Sequence, residues 1–541
     1  MIASALQRFA HAVTRPAAAK VVAAVALGGC TVGPDFVPPD PPKDKTYLSS
    51  SMVEETVAAK DVLGGEAQRF VTDLDIPEQW WRVYQSKPLN DLIDRSLKAN
   101  PDIQSAIQSL KAAQETAKAQ RATLFPVVSV SGSGTQNQQS SALSPTPASG
   151  STLFGLFTGL LNVSYTLDLW GGTRRAAESL DAQAEAQCFL LEATYLTLSS
   201  NVVVTAVTEA SLRGQIAATE RTVEIQRQTL GLLQRRLAIG QAAVADVATQ
   251  QAALAQSEAT LPPLRNQLSQ QRHLLAQLTG RTTAHVPAET FDLESLTLPQ
   301  DLPVSLPSRM VEQRPDVRSA EANVHAAAAG VGVATANMLP QVTLGLSFGS
   351  TATDLAWLFS PDLGATFVGG VTSATQTLLD GGALSAKRRA AVAAWEQAKA
   401  QYRSTVLTAF RNVADSLRTV ENDAVSLKAA ADAERAAKLS LDIIRRRMAA
   451  GDAGILDILN AELTYQSAAM ALVQARAARY SDTAALFQAL GGGWWNRDGA
   501  GNLNPAQRAS CRPPANPPKP QPWPDTAPKA ASASNVDGRH T

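Results

Sequence analysis

The chain contains two copies of one sequence unit, and this duplication limits its possible folds more than any other feature. Residues 101–128 align without a gap on residues 315–342, with nine identical positions of 28. A second gapless match places residues 235–246 on residues 446–457, with six identical positions of twelve. The period of about 211–214 residues is far longer than that of solenoid repeats. The sequence therefore predicts a duplicated unit of domain size.

Each copy carries the same order of predicted elements. A helix of roughly 25 residues begins at Pro101 or Pro315 and ends near a second proline, because proline is tolerated in a first helical turn and stops a helix later. Apolar and small polar residues then alternate within 127–169 and within 341–379, which predicts one β-hairpin per copy. Loops rich in Ser, Pro and Gly are expected inside the hairpins, at 135–152 and at about 350–364.

A long helical pattern follows each hairpin. It continues for about 65 residues to Gly240 in copy one and to Gly451 in copy two, or roughly 100 Å at 1.5 Å per residue. These helices are too charged to cross a bilayer, so they are expected to pack along their length as coiled-coil bundles do. After a tight turn, a helix of about 35 residues returns in each copy. Pro262 and Pro263 are expected to interrupt the first of these returning helices.

The predicted fold is mainly α-helical, with two β-hairpins that enter a membrane. Four strands cannot close a barrel around water, and open strand edges are not tolerated in lipid. Strands from other subunits must therefore complete the barrel. The expected segments are an N-terminal segment at 30–85, copy one at 86–282, an inter-copy linker at 283–312, copy two at 313–495 and a disordered proline-rich tail at 496–541.

The first 29 residues predict a cleaved signal peptide, because a basic start is followed by an apolar run too short to span a bilayer. The run ends in Leu27-Gly28-Gly29-Cys30. This sequence resembles the bacterial lipobox, in which the cysteine thiol takes a lipid, and Cys30 is the predicted lipidation site. Thr31 follows where inner-membrane retention would often show Asp, so the resemblance implies outer-membrane sorting. An ordinary signal peptide with a chance cysteine is the alternative.

Charge and composition exclude several classes of function. Lys and Arg together number 48, as do Asp and Glu, and this neutrality argues against a nucleic-acid partner, which requires a cationic face. The five histidines are scattered, and the sequence has neither a Gly-rich phosphate loop nor a zinc-ligand spacing. We therefore expect no catalysis, cofactor or metal. Cys30, Cys188 and Cys511 lie far apart in sequence, and no disulfide is expected.

Several short motifs resemble those of the outer membrane efflux family, in the same order along the chain. They are Trp80-Trp81, Leu124-Phe125-Pro126, Leu167-Asp168-Leu169-Trp170-Gly171, Arg314-Pro315-Asp316 and Leu379-Asp380-Gly381-Gly382. Cys30 followed by Gly33-Pro34-Asp35 is similar to the lipoprotein branch of this family, the ducts of resistance-nodulation-division pumps. The resemblance implies a homotrimer with a twelve-stranded outer-membrane β-barrel continuous with a periplasmic α-helical barrel. It also implies a periplasmic adaptor protein and, through it, an inner-membrane pump that expels small toxic compounds such as drugs.

The turns at about 239–246 and 450–457 are the periplasmic tips that this resemblance implies. The family often carries acidic rings near its closed end, and the resemblance places Asp457 on a gate position. The structural alternative is that Asp246 and Asp457 interact favourably with the positive ends of the dipoles of the returning helices. The gate candidates are Asp457, Asp452, Asn460, Arg447 and Asp246. The candidate adaptor contacts are Arg236, Ala238, Gly240, Ala449 and Gly451.

Two other functions fit part of the pattern. One is the exit channel of a type I protein-secretion system, which the lipobox disfavours. The other is a periplasmic coiled-coil spacer lipoprotein without a channel, which does not explain two hairpins at equivalent points of the copies.

Overall fold

The two halves of the chain repeat one order of helices and strands in the structure, which is a computed structural model. The predicted signal peptide, Cys30 and the tail beyond Asn496 lie outside the residues that it describes. The described residues are 31–40, 44, 46–72, 74–138, 153–305, 307–360 and 365–496.

The N-terminal segment and copy one supply eight regular elements. They are strand β1 (Arg69–Thr72), helices α1 (Lys87–Ala99) and α2 (Pro101–Ala122), strands β2 (Val127–Gln138) and β3 (Leu153–Leu167), and helices α3 (Gly172–Ala238), α4 (Val244–Ala259) and α5 (Leu261–Leu278). Helix α2 begins where Asn100 Oδ1 accepts a hydrogen bond from the Asp102 N–H (2.7 Å), which satisfies a donor of the first turn. The returning helix is broken at Thr260, just before Pro262 and Pro263, as predicted.

The rest of the chain supplies seven further elements. They are strand β4 (Asp301–Val304), helices α6 (Pro307–Gln313) and α7 (Pro315–Ala336), strands β5 (Gln341–Ala352) and β6 (Ala365–Thr375), and helices α8 (Ala383–Ala450) and α9 (Ile455–Ala489). Helix α9 has no internal proline and returns without a break over 35 residues. Val473 and Gln474 occupy the positions that hold the two prolines in copy one.

Strands β2, β3, β5 and β6 form one antiparallel sheet in that order. Residues directly opposite each other share a face of the sheet. One face is apolar and carries Val128, Val130, Leu161, Val163, Leu344, Leu346, Phe348 and Val368. The other face is mostly small and polar and carries Ser129, Ser131, Thr158, Asn162, Thr166, Thr343, Ser347 and Ser373. Strands β2 and β6 are the two edges.

The long helices pack side by side because each presents an apolar stripe at helical spacing. On α8, Val406, Ala409, Val413, Leu417 and Val420 are buried at intervals of three or four residues. Contacts run from α2 to α3, from α3 to α7 and from α7 to α8, which makes a layer of four neighbouring helices. Helix α9 packs on α8 and α3, and α4 and α5 pack on α3.

Of the helices in the described residues, α3 alone has the length and hydropathy of a membrane span. Half of its most apolar window is buried within the chain. Val202, Val203, Ala206 and Val207 are fully buried there. This apolar stretch therefore packs as the middle of a core helix, as the sequence indicated.

Residues 283–312, predicted as a linker, are also packed into the middle of the molecule. Strand β4 pairs in parallel with β1, which belongs to the N-terminal segment. Phe291, Leu302 and Met310 are buried in the same core as Trp80. Trp80 stacks on Phe487 of α9 at 5.5 Å between ring centroids. The segment thus joins the copies along the chain and packs against the long helices at mid-length.

Three boundary or pairing expectations were wrong. Strands β2 and β5 continue to Gln138 and Ala352, inside the predicted loops, because ladder hydrogen bonds extend the hairpins beyond the apolar residues. Asn496 belongs to the folded part rather than the tail, since its Nδ2 donates to the Ile76 carbonyl oxygen (2.7 Å). Cys188 is buried on α3 and is disulfide-bonded, although its spacing in sequence indicated no disulfide.

Candidate functional site at the helix tips

Each long helix ends in a turn closed by a glycine in the left-handed region. Gly240 has φ +74° and Gly451 has φ +86°, a conformation that glycine adopts without steric cost. In copy two, the Asp452 N–H donates to the Arg447 carbonyl oxygen (2.8 Å), which satisfies a carbonyl of the last helical turn. Each returning helix begins four residues after its glycine, at Val244 and at Ile455. These short turns reverse the chain at the far end of α3 and α8 from the sheet.

Asp246 and Asp457 cap the two returning helices. Asp246 Oδ2 accepts a hydrogen bond from the Ala243 N–H (3.1 Å), and Asp457 Oδ2 accepts one from the Gly454 N–H (3.0 Å). A carboxylate in the first turn also interacts favourably with the positive end of the helix dipole. Asp457 is exposed and Asp246 is half-buried. Both aspartates therefore have a structural role, and Asp457 also presents its charge to solvent.

Arg447 and Asp452 form an ion pair within the copy-two tip. Arg447 Nε lies 3.1 Å from Asp452 Oδ2, and Arg447 Nη2 donates to the Asp452 carbonyl oxygen (2.9 Å). Their side chains are 52% and 74% exposed, so solvent screening keeps this pair weak. Gln241 replaces Asp452 in copy one, and this pair cannot form there. Asn460 is exposed on α9, one turn beyond Asp457.

Arg236 ties the copy-one tip to the copy-two tip. Its Nη2 donates to the carbonyl oxygens of Met448 (2.5 Å) and Ala449 (3.0 Å). These carbonyls lie in the last turn of α8, where the Met448 carbonyl oxygen also accepts a hydrogen bond from the Gly451 N–H (3.0 Å). The Arg236 guanidinium is thus engaged inside the chain, whereas the sequence suggested an adaptor contact. The other four adaptor-contact candidates are all exposed at the tips: Ala238, Gly240, Ala449 and Gly451.

A small apolar cluster joins the two tips beneath these turns. Met448, Leu441, Ile458 and Tyr465 from copy two are buried against Leu233 of α3. Met448 is only 3% exposed, so it closes the last turn of α8 onto α9 and α3. The cluster holds the tips together in the described conformation.

A buried carboxylate lies two turns above the copy-two turn, and sequence reasoning missed it. Glu462 Oε1 accepts a hydrogen bond from the Thr229 hydroxyl (2.8 Å), and Glu462 Oε2 accepts one from Gln250 Nε2 (3.1 Å). Glu462 is fully buried. Burial raises its pKa, and the two hydrogen bonds and the positive charge of Arg445 oppose that rise. Glu462 therefore links α9 to α3 and α4 at a site whose charge depends on pH.

The signal for Glu462 was present in the sequence. Ile458, Tyr465 and Ala469 define the buried stripe of α9, and Glu462 falls on that stripe at helical spacing. A charge inside an apolar stripe indicates a buried polar contact. Thr229 and Gln250 carry no comparable signal, because each is one of many polar residues on its helix.

Apolar side chains are also exposed at the tips. Ile239 and Val244 flank the copy-one turn, and Leu456 follows the copy-two turn. Each is about two-thirds exposed. Exposed apolar residues beside a turn mark a surface for a protein partner when they cluster. No group of three or more metal-ligating side chains lies together in the part of the chain that the structure describes.

The sequence is similar to known outer-membrane efflux proteins over most of its length. It is 29% identical over 505 residues to the probable efflux pump outer membrane protein TtgC of Pseudomonas putida, which covers 91% of this chain and 98% of that protein. It is 30% identical over 422 residues to the pyoverdine export outer membrane protein OpmQ of Pseudomonas aeruginosa, which covers 77% of this chain and 87% of that protein.

Solved structures share the fold. The outer-membrane channel OprN has a TM-score of 0.75 at 28% identity and covers 86% of this chain and 100% of its own. The outer membrane protein VceC of Vibrio cholerae has a TM-score of 0.71 at 27% identity and covers 77% of this chain and 100% of its own. The family profile described as Outer membrane efflux protein matches the chain twice, at residues 92–281 and 306–492. With its two polar-faced hairpins, long helices and paired tips, the chain belongs to the outer membrane efflux protein family.

Proposed function

We propose that the chain is one of three protomers of an outer-membrane exit duct that passes small toxic compounds, such as drugs, from a periplasmic pump assembly to the exterior. The family membership places it among outer-membrane efflux channels. The observation that carries the proposal is the four-stranded sheet, which has one apolar face, one polar face and two free edges.

The faces of the sheet suit a barrel wall between lipid and water. Val130 is 82% exposed and Phe348 is 53% exposed, so nothing in the described chain covers the apolar face at these positions. The strands are 11 to 15 residues long, and a tilted transmembrane strand needs about 9–11. Lipid against the apolar face and water against the polar face would give each face of the sheet a suitable environment.

The free edges require strands from other subunits. An unpaired backbone edge in lipid costs several kcal/mol for each unsatisfied group. Pairing of β6 with β2 of the next protomer would remove both edges at once, and three protomers would close a barrel of twelve strands. The number three follows from the family resemblance, and the need for closure follows from the edges.

The N-terminal segment supports lipid anchoring at Cys30. The Val32 N–H donates to the Trp170 carbonyl oxygen (3.1 Å) at the junction between sheet and helices. Arg175 Nη2 lies 2.5 Å from Asp35 Oδ1. The first residues after Cys30 are therefore fixed beside the end of the sheet, at the level where the membrane would begin. A lipid on Cys30 would enter the same membrane as the barrel.

The tips are the proposed meeting point with a periplasmic adaptor protein and, through it, an inner-membrane pump. Ile239, Val244 and Leu456 offer an exposed apolar surface there, and Ala238 and Ala449 are small enough to accept partner side chains. We assign the gate to the copy-two tip, where Asp457, Asp452 and Arg447 are exposed. Acidic side chains that converge in a narrow neck would favour cations.

Deletion of the gene tests the proposal most simply. The deletion strain is expected to become more sensitive to drugs, dyes or detergents, and the wild-type chain is expected to restore resistance. Unchanged sensitivity, together with loss of a secreted protein from the medium, would instead indicate a protein-secretion channel. Extraction of the chain from membranes without detergent would indicate a periplasmic spacer.

A further inference from the structure

A groove of about 560 Å³ crosses the layer of α2, α3, α7 and α8 near the sheet. Its polar lining is uncharged and includes Ser179, Gln183, Gln187 and Asn323, and alanine or glycine residues complete it. All four neighbouring helices line this one groove. The layer is therefore concave on this side, and a ring closed from such layers would have this side within its lumen.

The charges of α3 lie on its opposite side. At 100° per residue, Glu178, Asp181 and Glu185 are about 140–160° around the axis from Gln183. Glu178 contacts His325 Nε2 (2.9 Å), and His325 stacks on Phe36 of the N-terminal segment. The N-terminal segment therefore lies on the convex side of the layer, away from the groove.

Helix α2 separates its charges in the same way. Ala113 lines the groove, and Lys111, Glu115 and Lys118 lie about 140–160° from it around the helix. Glu115 and Lys118 form an ion pair in solvent (2.7 Å). At this level the concave wall is neutral and the convex wall is charged.

Lys387 on α8 is an exception, because it is a charged residue on the concave side of the layer. Ala391 and Ala394 of α8 line the groove, and Lys387 precedes Ala391 by four residues, which places it on the same face about one turn nearer the sheet. Lys387 is exposed. No carboxylate in the described part of the chain forms an ion pair with it. Its ammonium group is thus free to extend along the concave wall.

The other three helices of the layer have neutral residues at this level. The glycines that begin α3 and α8, Gly171 and Gly382, align the copies, and this alignment places Ala176 opposite Lys387. Gln120 of α2 and Ala334 of α7 occupy the groove faces of their helices. Each chain therefore contributes Lys387 to the wall at this depth, and the exposed Arg388 lies at the flank of this face, about 60° from Ala391 around α8.

We propose that Lys387 projects into the lumen just below the β-barrel, where three copies form a cationic ring in an otherwise neutral wall and favour the passage of anionic compounds. The inference rests on the proposed trimeric duct. A ring of like charge raises the local concentration of the opposite ion within about one Debye length, roughly 10 Å at 0.1 M salt. The effect should therefore be clear at low salt and fade at 1 M.

The test is the reversal potential of reconstituted channels under a KCl gradient. Lys387→Glu is expected to lower the chloride-to-potassium permeability ratio roughly twofold or more at about 0.1 M salt, and Lys387→Gln to lower it by less. Arg389→Glu is the matched control, because Arg389 lies two residues away and about 160° around the helix, on the convex side. Each variant is also measured with Asp457→Ala, so that a narrow tip in series does not conceal the ring.

The outcomes separate this inference from the proposed function. A shift with Lys387→Glu but not with Arg389→Glu supports the ring. Equal permeability ratios for Lys387→Glu and the parent channel, in both tip backgrounds, overturn it. Absence of any channel from the wild-type protein would instead contradict the duct itself.

Discussion

At the scale of single residues, the tip aspartates combine a structural and an electrostatic role. Asp457 caps α9 through the Gly454 N–H (3.0 Å) and still presents its charge to solvent. Asp246 makes the equivalent bond in copy one (3.1 Å) but is less exposed. Copy two alone adds the Arg447–Asp452 pair. The two tips therefore differ in charge although their backbones are alike.

Two substitutions separate these roles of Asp457. Asp457→Ala removes both the cap and the charge, whereas Asp457→Asn removes the charge and keeps an oxygen that can accept the Gly454 N–H. If the charge acts at a constriction, both variants should lose cation preference in planar bilayers. If only the cap matters, Asp457→Ala alone will change conductance, and the gate assignment fails.

Glu462 should make stability depend on pH. Burial raises its folded-state pKa above the ordinary 4.5, so the folded state binds its proton more tightly than the unfolded state. The favourable contribution is fully present below about 4.5 and is lost as pH rises through the folded-state pKa. The Glu462→Gln side chain stays neutral over this range. The melting temperature of the variant should therefore rise relative to that of the wild type as pH increases from about 4 to 8. Parallel curves for the two proteins over this range would contradict the assignment.

At the scale of elements, Arg236 on α3 supplies the hydrogen bonds to the carbonyl oxygens in the last turn of α8. Arg236→Ala removes this donor from the Met448 and Ala449 carbonyls at a cost of about 0.5–1.5 kcal/mol, because Met448 keeps the Gly451 N–H and Ala449 is exposed to water. Amide hydrogen exchange at the C-terminal end of α8 and in the following turn should become faster. Arg235→Ala is the control, because Arg235 is exposed on the preceding position. Equal protection of the tip in both variants would show that the apolar cluster alone holds it.

Two neighbouring residues of β2, one on each face of the sheet, test which face meets lipid. Val130→Asp places a charge on the apolar face of β2, which is expected to cost roughly 2 kcal/mol near the middle of a bilayer. Ser131→Asp places the same charge on the polar face and should be tolerated. The prediction is that resistance and outer-membrane insertion are lost for Val130→Asp and kept for Ser131→Asp. The reverse result would mean that the faces are assigned wrongly.

The sequence predicted those elements whose signals are local or repeated. The duplication and its glycines predicted the element order, and Pro262 and Pro263 predicted the break between α4 and α5. The pairing of β1 with β4 could not be predicted, because each strand has four residues and Arg69 pairs with Asp301 far along the chain. The roles of Arg236 and Glu462 depend on how α3, α8 and α9 interlock, which periodicity on a single helix does not determine.

At the scale of the whole molecule, one chain is an incomplete wall. Its sheet has two free edges, and the first turns of α8 are largely exposed. The β2 edge lies at the α2 end of the layer, and the β6 edge and the exposed turns of α8 lie at the α8 end. A ring of identical chains would cover both sheet edges and the side of α8 that faces away from α7, because each free side would meet the other free side of a neighbour.

A photo-crosslinking side chain placed at Val130 on the edge strand β2 tests the closed trimer most directly. Light should join neighbouring chains in whole cells and give a ladder that ends at three chains on a denaturing gel. The same side chain at Val163 is the control, because β3 pairs with strands of its own chain on both sides. A ladder that ends at two chains, continues beyond three, or is absent at Val130 would contradict the trimeric duct.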